Sequence, residues 1–170
     1  MKLIYILGLL LIFSSVNCSK EKEFTIDVSR ITNTDALGNS NGNTDNTDWG
    51  FDANWNETEL SLFRSDPVDM SGAETATITL QPAYPNPASI NGITFQFTAS
   101  KKSYLRLAVV DEKLNRLAFY SFFADAGLNA FNLTFNIPPF TVNKNYRIYY
   151  TFNAPGNEMY FKGHGDVAIR

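Results

Sequence analysis

The sequence predicts an all-β protein, a single antiparallel β-sandwich of immunoglobulin-like size with about seven strands over residues 49–170. Three observations favour this fold. Aromatic residues make up 14% of the 170 residues and charged residues only 18%, which is typical of a folded domain rich in strands. From residue 75 onward, short segments alternate apolar and polar residues, and turn residues separate them. No stretch with a helical period interrupts this series.

The chain begins with a segment typical of an export signal. Met1 and Lys2 give a positive start, and residues 3–13 are apolar, a run well short of the roughly 20 residues that span a bilayer as a helix. We therefore assign residues 1–17 to a signal peptide. The only cysteine of the chain, Cys18, follows it directly.

A cysteine at the end of a signal peptide resembles the lipid-modification site of bacterial lipoproteins, and the resemblance implies that Cys18 carries acyl chains that anchor the protein in a membrane. The alternative is an ordinary cleavage that leaves a free thiol, which invites intermolecular disulfides in an exported protein. The charged run at 19–23 resembles the export signal of surface lipoproteins of Bacteroidota. That likeness implies the outer membrane and its cell-surface side.

Residues 18–48 are predicted to form a polar tether. Residues 24–31 alternate apolar and polar side chains, so they form either an edge strand or an extended part of the tether. Between Asn33 and Asp48 nearly every residue is Asn, Asp, Thr, Ser or Gly. Such a stretch has little to bury against its ordering entropy, and it therefore predicts a flexible linker.

Aromatic residues are dense where the predicted sandwich begins. Trp49, Phe51 and Trp55, with Tyr84 further along, are candidates for an aromatic platform that binds a sugar or a peptide. Tryptophans at the entrance to a sandwich also pack over the open end of its core, and the sequence leaves both interpretations open. Residues 56–63 form either a short helical turn or the start of a strand.

The predicted strands share alternating side chains, and Gly, Pro, Asn or Asp residues bound most of them. They are residues 75–80, 93–97, 104–110, 117–123, 130–135, 146–152 and 159–162, with a possible last strand at 166–170.

The segment Tyr84-Pro85-Asn86-Pro87, followed by a strand, resembles the start of the C-terminal sorting domains of type IX secretion in Bacteroidota. The likeness covers about the C-terminal half of the chain. It implies a small β-sandwich and, as an alternative function, a sorting or assembly module that engages the secretion machinery. The prolines fix φ and the Asn86 side chain can close a turn, so the motif predicts a rigid turn without chemistry of its own.

Other features argue against several classes of function. A net charge of −3 without a basic stripe argues against nucleic acid as a partner. His164 is the only histidine, and we interpret it as a turn residue between two strands, not as a metal ligand or an acid–base group. The series Asn41, Asn43, Asp45, with Asp52 beyond it, has a spacing faintly like a calcium loop, but Asp52 stands in place of the glutamate and the required glycine is absent. We interpret the series as part of a solvated linker.

We therefore expect no metal, no cofactor and no catalytic residues. The sequence favours a small non-enzymatic lipid-anchored protein of the cell envelope that binds a protein or glycan ligand.

Overall fold

The computed structural model describes residues 24–64, 69–156 and 158–170. The predicted signal peptide, Cys18 and the charged run after it lie outside the described residues. The elements are α1 (Glu57–Ser61), β1 (Ile78–Leu80), β2 (Ile93–Ala99), β3 (Ser103–Val110), β4 (Arg116–Ala124), β5 (Gly127–Leu133), β6 (Lys144–Ala154) and β7 (Glu158–Ile169). Within these ranges, no helix has the length and apolar character needed to cross a membrane.

The strands pair antiparallel in two sheets, with orders β1-β2-β5 and β4-β3-β6-β7. The predicted all-β sandwich is thereby confirmed. The chain passes from one sheet to the other after β2, β4 and β5. Pairing of the second strand with the fifth and of the third with the sixth is the immunoglobulin-like arrangement, here with β4 beside β3 in the larger sheet.

The core between the sheets follows the alternation of the sequence. Along β2, Ile93, Phe95 and Phe97 are buried, and the residues between them are partly exposed. All of β3 and most of β6 are buried on both faces. The larger sheet must therefore be covered on its outer face as well.

The segment that precedes the sandwich supplies this outer cover. Trp55, Leu62 and Phe63 pack with Tyr149 and Val110 in a second apolar cluster on the outer face of the larger sheet. Burial of these side chains removes apolar surface from water, which is the main source of stability in a domain with no disulfide.

The short helix α1 carries part of this cover, and hydrogen bonds hold both of its ends. Asn56 and Glu59 form a capping box, in which each side chain accepts a hydrogen bond from the backbone of the other. After the helix, the buried Arg106 donates to the carbonyl of Phe63, and Arg116 donates to that of Leu62 at 2.7 Å. Of the two alternatives for residues 56–63, the structure shows the helical turn.

The structure corrects the prediction of a flexible linker over residues 33–48. Thr32 and Thr34 are buried, and Thr34 exchanges two backbone hydrogen bonds with Asn86, at 2.8 and 3.1 Å. Residues 24–31 lie against the sandwich without forming a strand. The prediction considered only apolar burial, whereas hydrogen bonds hold this segment. The described part of the predicted tether, residues 24–48, therefore belongs to the folded body.

The last two predicted strands are one continuous strand, β7, so the interpretation of His164 as a turn residue is wrong. The neighbouring glycines serve close packing instead. A Cβ at Gly163 would lie 1.9 Å from the carbonyl oxygen of Gly50, and one at Gly165 would lie 2.2 Å from Trp49 Cδ2. Only glycine lets the segment that precedes the sandwich approach β7 this closely.

β7 is an edge strand, and residues from the first half of the chain close its outer edge. The partners lie in residues 48–52 and 86–88. The bonds run from Trp49 N–H to His164 O (2.8 Å), Asp52 N–H to Lys162 O (2.8 Å), Asp166 N–H to Asp48 Oδ1 (3.1 Å), Ala168 N–H to Asn86 Oδ1 (3.1 Å), Ala88 N–H to Ala168 O (2.8 Å) and Arg170 N–H to Ala88 O (2.8 Å). From Lys162 to Arg170, this edge is therefore closed to pairing with another chain.

Candidate functional site

A cavity of about 610 Å³ opens beside β7, where residues 26–30 and 45–54 meet the outer face of the larger sheet. We call it the N-terminal cavity and define it by six of its lining residues. These are Asp27, Arg30, Asp45, Phe51, Asp52 and His164.

Three aspartates line the N-terminal cavity, and each is fixed in the same way. Asp27, Asp45 and Asp52 each accept, through Oδ1, the backbone N–H of the residue two positions further on, at 2.8–2.9 Å. Hydrogen bonds to Ser29 and Thr47 lower the pKa of Asp27 and Asp45, respectively, so both are ionised at neutral pH. Each aspartate side chain is thus held in place through its Oδ1 atom.

The second oxygen of each aspartate is less engaged. Oδ2 of Asp45 lies 3.6 Å from Arg30 Nε, and Oδ2 of Asp52 lies 3.6 Å from His164 Nδ1. These distances are longer than hydrogen bonds, and Oδ2 of Asp27 has no hydrogen bond among the described residues. The cavity therefore offers several carboxylate oxygens that can accept hydrogen bonds from a ligand.

Positive charge in the N-terminal cavity is largely neutralised. Arg147 forms a two-point ion pair with the buried Asp166, at 2.7 and 2.8 Å, and also donates to the backbone carbonyl of Asp27. Arg30 is the exposed cation beside Asp45. Carboxylate charge consequently exceeds cationic charge at the mouth of the cavity.

Asp48 lies buried behind the cavity wall and links two segments. Its Oδ2 accepts the N–H of Thr32 at 3.1 Å, and its Oδ1 accepts the N–H of Asp166 at the same distance. Burial, with the nearby Asp166 carboxylate, raises the pKa of Asp48 to about 7. Near neutral pH, the Asp48 carboxyl group is therefore present in both its charged and its neutral form.

His164 is uncharged at neutral pH. Burial, together with the positive charge of Arg147, lowers the pKa of His164 to about 4.

Thr47 brings a hydroxyl to the cavity wall, and this hydroxyl donates a hydrogen bond to Asp45 at 2.7 Å. In the described part of the chain, no group of three or more His, Cys, Asp or Glu is arranged to hold a metal ion. The arrangement suits binding through hydrogen bonds.

The four aromatic candidates do not form a single platform. Trp49 is buried in the core, with its ring stacked on Tyr150, and Trp55 is buried in the outer cluster. Tyr84 is half-buried and donates its hydroxyl to Gln96 at 2.7 Å. Phe51 is 61% exposed, and of these four residues it is the one that lines the N-terminal cavity.

Asp27 and Arg147 were not identified from the sequence, and Asp45 and Asp52 were considered only as part of the calcium-loop-like series. Asp45 stands among other Asn and Asp residues of a polar stretch, whereas Asp27 and Asp52 are single acidic residues in segments 24–31 and 49–55, and no local pattern brings the three together. One signal was present. Gly163 and Gly165 inside an otherwise strand-like segment indicate the close approach of another part of the backbone.

Neither a protein-family model nor a curated protein matches the chain.

Asp48 and His164 predict opposite effects of pH on stability. The pKa of Asp48 rises from an ordinary 3.8 to about 7 on folding, so the folded state binds more protons between these values. The free energy of unfolding falls as pH rises through that range. The pKa of His164 falls from 6.5 to about 4 on folding, so the unfolded state binds more protons. Its contribution rises with pH between 4 and 6.5.

Between pH 4 and 6.5, we expect the slope of the free energy of unfolding against pH to be more negative in His164→Gln, and more positive in Asp48→Asn, than in the unsubstituted protein. Urea denaturation across this range measures both slopes. Asp48→Asn also lowers stability at every pH, because its amide N–H₂ meets a backbone N–H, so the slope is the readout. Parallel profiles for all three proteins would contradict the assignment.

Proposed function

We propose that the chain is a small non-enzymatic protein of the cell envelope that binds a saccharide in the N-terminal cavity. In this proposal, acyl chains on Cys18 anchor it in the outer membrane, with the sandwich at the cell surface. The exposed ring of Phe51 beside spare carboxylate oxygens is the observation that carries the ligand class. The layout of the first 23 residues carries the location.

The chemistry of the N-terminal cavity matches a saccharide better than other ligands. A sugar ring presents an apolar C–H face, which packs on an aromatic ring, and hydroxyl groups, which donate to carboxylates. Phe51 offers such a ring, supported by Phe161 at a centroid distance of 5.7 Å. The excess of carboxylate disfavours phosphates and other anions. The volume of about 610 Å³ lies within the range of small-molecule sites.

The folded body begins only a few residues after the proposed lipid anchor. Ile26 donates its backbone N–H to the carbonyl of Glu112 at 2.9 Å, so the folded body already includes this residue. Ile26 stands eight positions after Cys18. At no more than about 3.6 Å per residue, an anchor at Cys18 keeps this point within about 29 Å of the lipid. Such an anchor would hold the sandwich close to the membrane.

The alternative function, a sorting or assembly module for type IX secretion, rests on the Pro-Asn-Pro turn. The Asn86 side chain is 0% exposed, and its Nδ2 donates to the carbonyls of Thr32 and Asp166 at 3.0 and 2.8 Å. This asparagine joins the segment before the sandwich to β7, and it offers no surface to a receptor. The buried position favours the binding role over the sorting role.

The anchor is tested on protein extracted from membranes of cells that process the full chain. Mass spectrometry of the mature N-terminal peptide is expected to show Cys18 as the first residue, with a mass raised by acyl chains. Cys18→Ala is expected to abolish this mass and membrane retention, and Ser19→Ala, at the next position, to retain both. An unmodified sulfhydryl at Cys18 would end the lipid-anchor proposal.

The ligand is tested with an oligosaccharide array, followed by calorimetric titration of the saccharide that binds. We expect Phe51→Ala to weaken that binding tenfold or more, about 1.4 kcal/mol, because the sugar loses its apolar contact. Asp52→Asn weakens it because a charged acceptor is lost. Leu37→Ala is the matched control, an apolar residue with 83% exposure that does not line the cavity.

Equal affinity in Phe51→Ala and Leu37→Ala would show that the saccharide binds elsewhere. Absence of binding to any saccharide on the array would reject the ligand class. The lipid anchor is tested separately, by the mass of the N-terminal peptide alone.

A further inference from the structure

The two edges of the larger sheet differ. Residues 48–52 and 86–88 close the outer edge of β7. At the opposite edge, among the described residues, the backbone groups of residues 117–124 pair with β3 alone. One edge is therefore paired within the chain, and the other keeps a row of backbone donors and acceptors beside which no strand lies in residues 24–64, 69–156 and 158–170.

β4 lacks the features by which proteins protect an open edge. Residues 117–124 contain no charged residue, no proline and no glycine. A register shift opposite Val109 and Val110 interrupts the pairing near the start of β4, and regular pairing then runs from Ala118 to Ala124. A regular apolar edge of this length is a ready template for another strand.

We propose that β4 pairs antiparallel with β4 of a second copy of this chain, across a two-fold axis at Ser121. The sequence of the regular stretch reads nearly the same in both directions. In the proposed register, Ala118 faces Ala124, Phe119 faces Phe123, Tyr120 faces Phe122, and Ser121 faces its own copy. Each side chain thus meets one of similar size and chemistry.

The faces of the sheet also agree in this register. Phe119 and Phe123 lie on the outer face, where Phe119 packs with Phe63 and Phe123 packs edge-on against Tyr104. Phe123 is 40% exposed, so pairing with Phe119 of the second copy would cover a ring that is open in the single chain. Aromatic pairs across neighbouring strands stabilise a sheet.

Charges at the two ends of β4 fit the same arrangement. Arg116 begins the strand, Asp125 follows it, and both are exposed. In the proposed register, residue 117 of one copy faces residue 125 of the other. Arg116 therefore lies beside Asp125 of the second copy, and the two-fold axis repeats this contact. Opposite charges at both ends favour this register over a slipped one.

The result is a closed, two-fold dimer with a continuous eight-stranded sheet, in which β7 forms both ends. Because residues from the same chain close β7 from Lys162 onward, the larger sheet ends at β7 on both sides of the dimer. The proposal is independent of the lipid anchor and of the N-terminal cavity.

The mass in solution tests the dimer on the chain from residue 19 onward, which keeps all described residues and lacks Cys18. We expect light scattering to give twice the mass of one chain. Ser121→Lys places two positive charges opposite each other at the axis and is expected to halve the mass, with an unchanged circular dichroism spectrum. Ala130→Lys, at an exposed position on the edge strand β5, is expected to remain dimeric.

A cross-link tests the register independently of Ser121→Lys. The chain from residue 19 onward contains no cysteine, so Ser121→Cys carries the only thiol. Facing residues on antiparallel strands have Cα atoms about 4.5–5.5 Å apart, within reach of a disulfide. Mild oxidation is expected to link Ser121→Cys into dimers and to leave the matched edge variant Leu128→Cys unlinked.

A monomeric mass for the unsubstituted chain would overturn the proposal. This holds even if the β4 edge binds a peptide of another protein, because the proposed partner is a second copy of this chain. A dimer in which Ser121→Cys does not cross-link would overturn the β4 pairing.

Discussion

The backbone along the outer edge of β7 needs hydrogen-bond partners, and the arrangement of the first half of the chain follows from that need. An edge strand left open invites pairing with another chain. Here Asp48 and Asn86 supply side-chain acceptors, and the backbones of Trp49, Asp52 and Ala88 supply the rest. Gly163 and Gly165 make the approach possible, because any side chain there would occupy the space of Gly50 or Trp49.

This closure also creates the N-terminal cavity. Once Trp49 is inserted in the core and its N–H is bound to the carbonyl of His164, the residues on either side must curve around the His164 side chain. Asp45 and Asp52 therefore stand beside residues that hydrogen bonds fix on β7, whereas the segment of Asp27 is fixed on β6 through Asn145 and Arg147. This closure buries polar groups, which is unfavourable. The burial raises the pKa of Asp48 and lowers the pKa of His164. Groups whose pKa values are shifted by burial and a nearby charge are common at functional sites.

The sequence predicted the parts of the fold that depend on alternation. Every predicted strand from residue 75 onward overlaps an observed one, because period-two burial is visible in the side chains themselves. It failed where polar contacts decide the structure. Residues 33–48 have too few apolar side chains to fold by apolar burial alone. Thr32 and Thr34 are nevertheless held by hydrogen bonds to Asp48 and Asn86, partners up to 54 positions away. Such long-range partners leave no local pattern. Phe51 was a candidate on chemistry alone, and only the structure separates it from the buried Trp49 and Trp55.

The closure of β7 is tested most directly by comparing Gly165→Ala with Gly50→Ala in urea denaturation. A Cβ at Gly165 would lie 2.2 Å from Trp49 Cδ2, whereas one at Gly50 has no heavy atom within 4 Å outside its immediate chain neighbours. We expect Gly165→Ala to lower the free energy of unfolding by about 1–3 kcal/mol or more, as in overpacked cores. Gly50→Ala is expected to change it by no more than about 0.5 kcal/mol. Equal stability of the two variants would show that Trp49 is not seated on β7, and the account would fail.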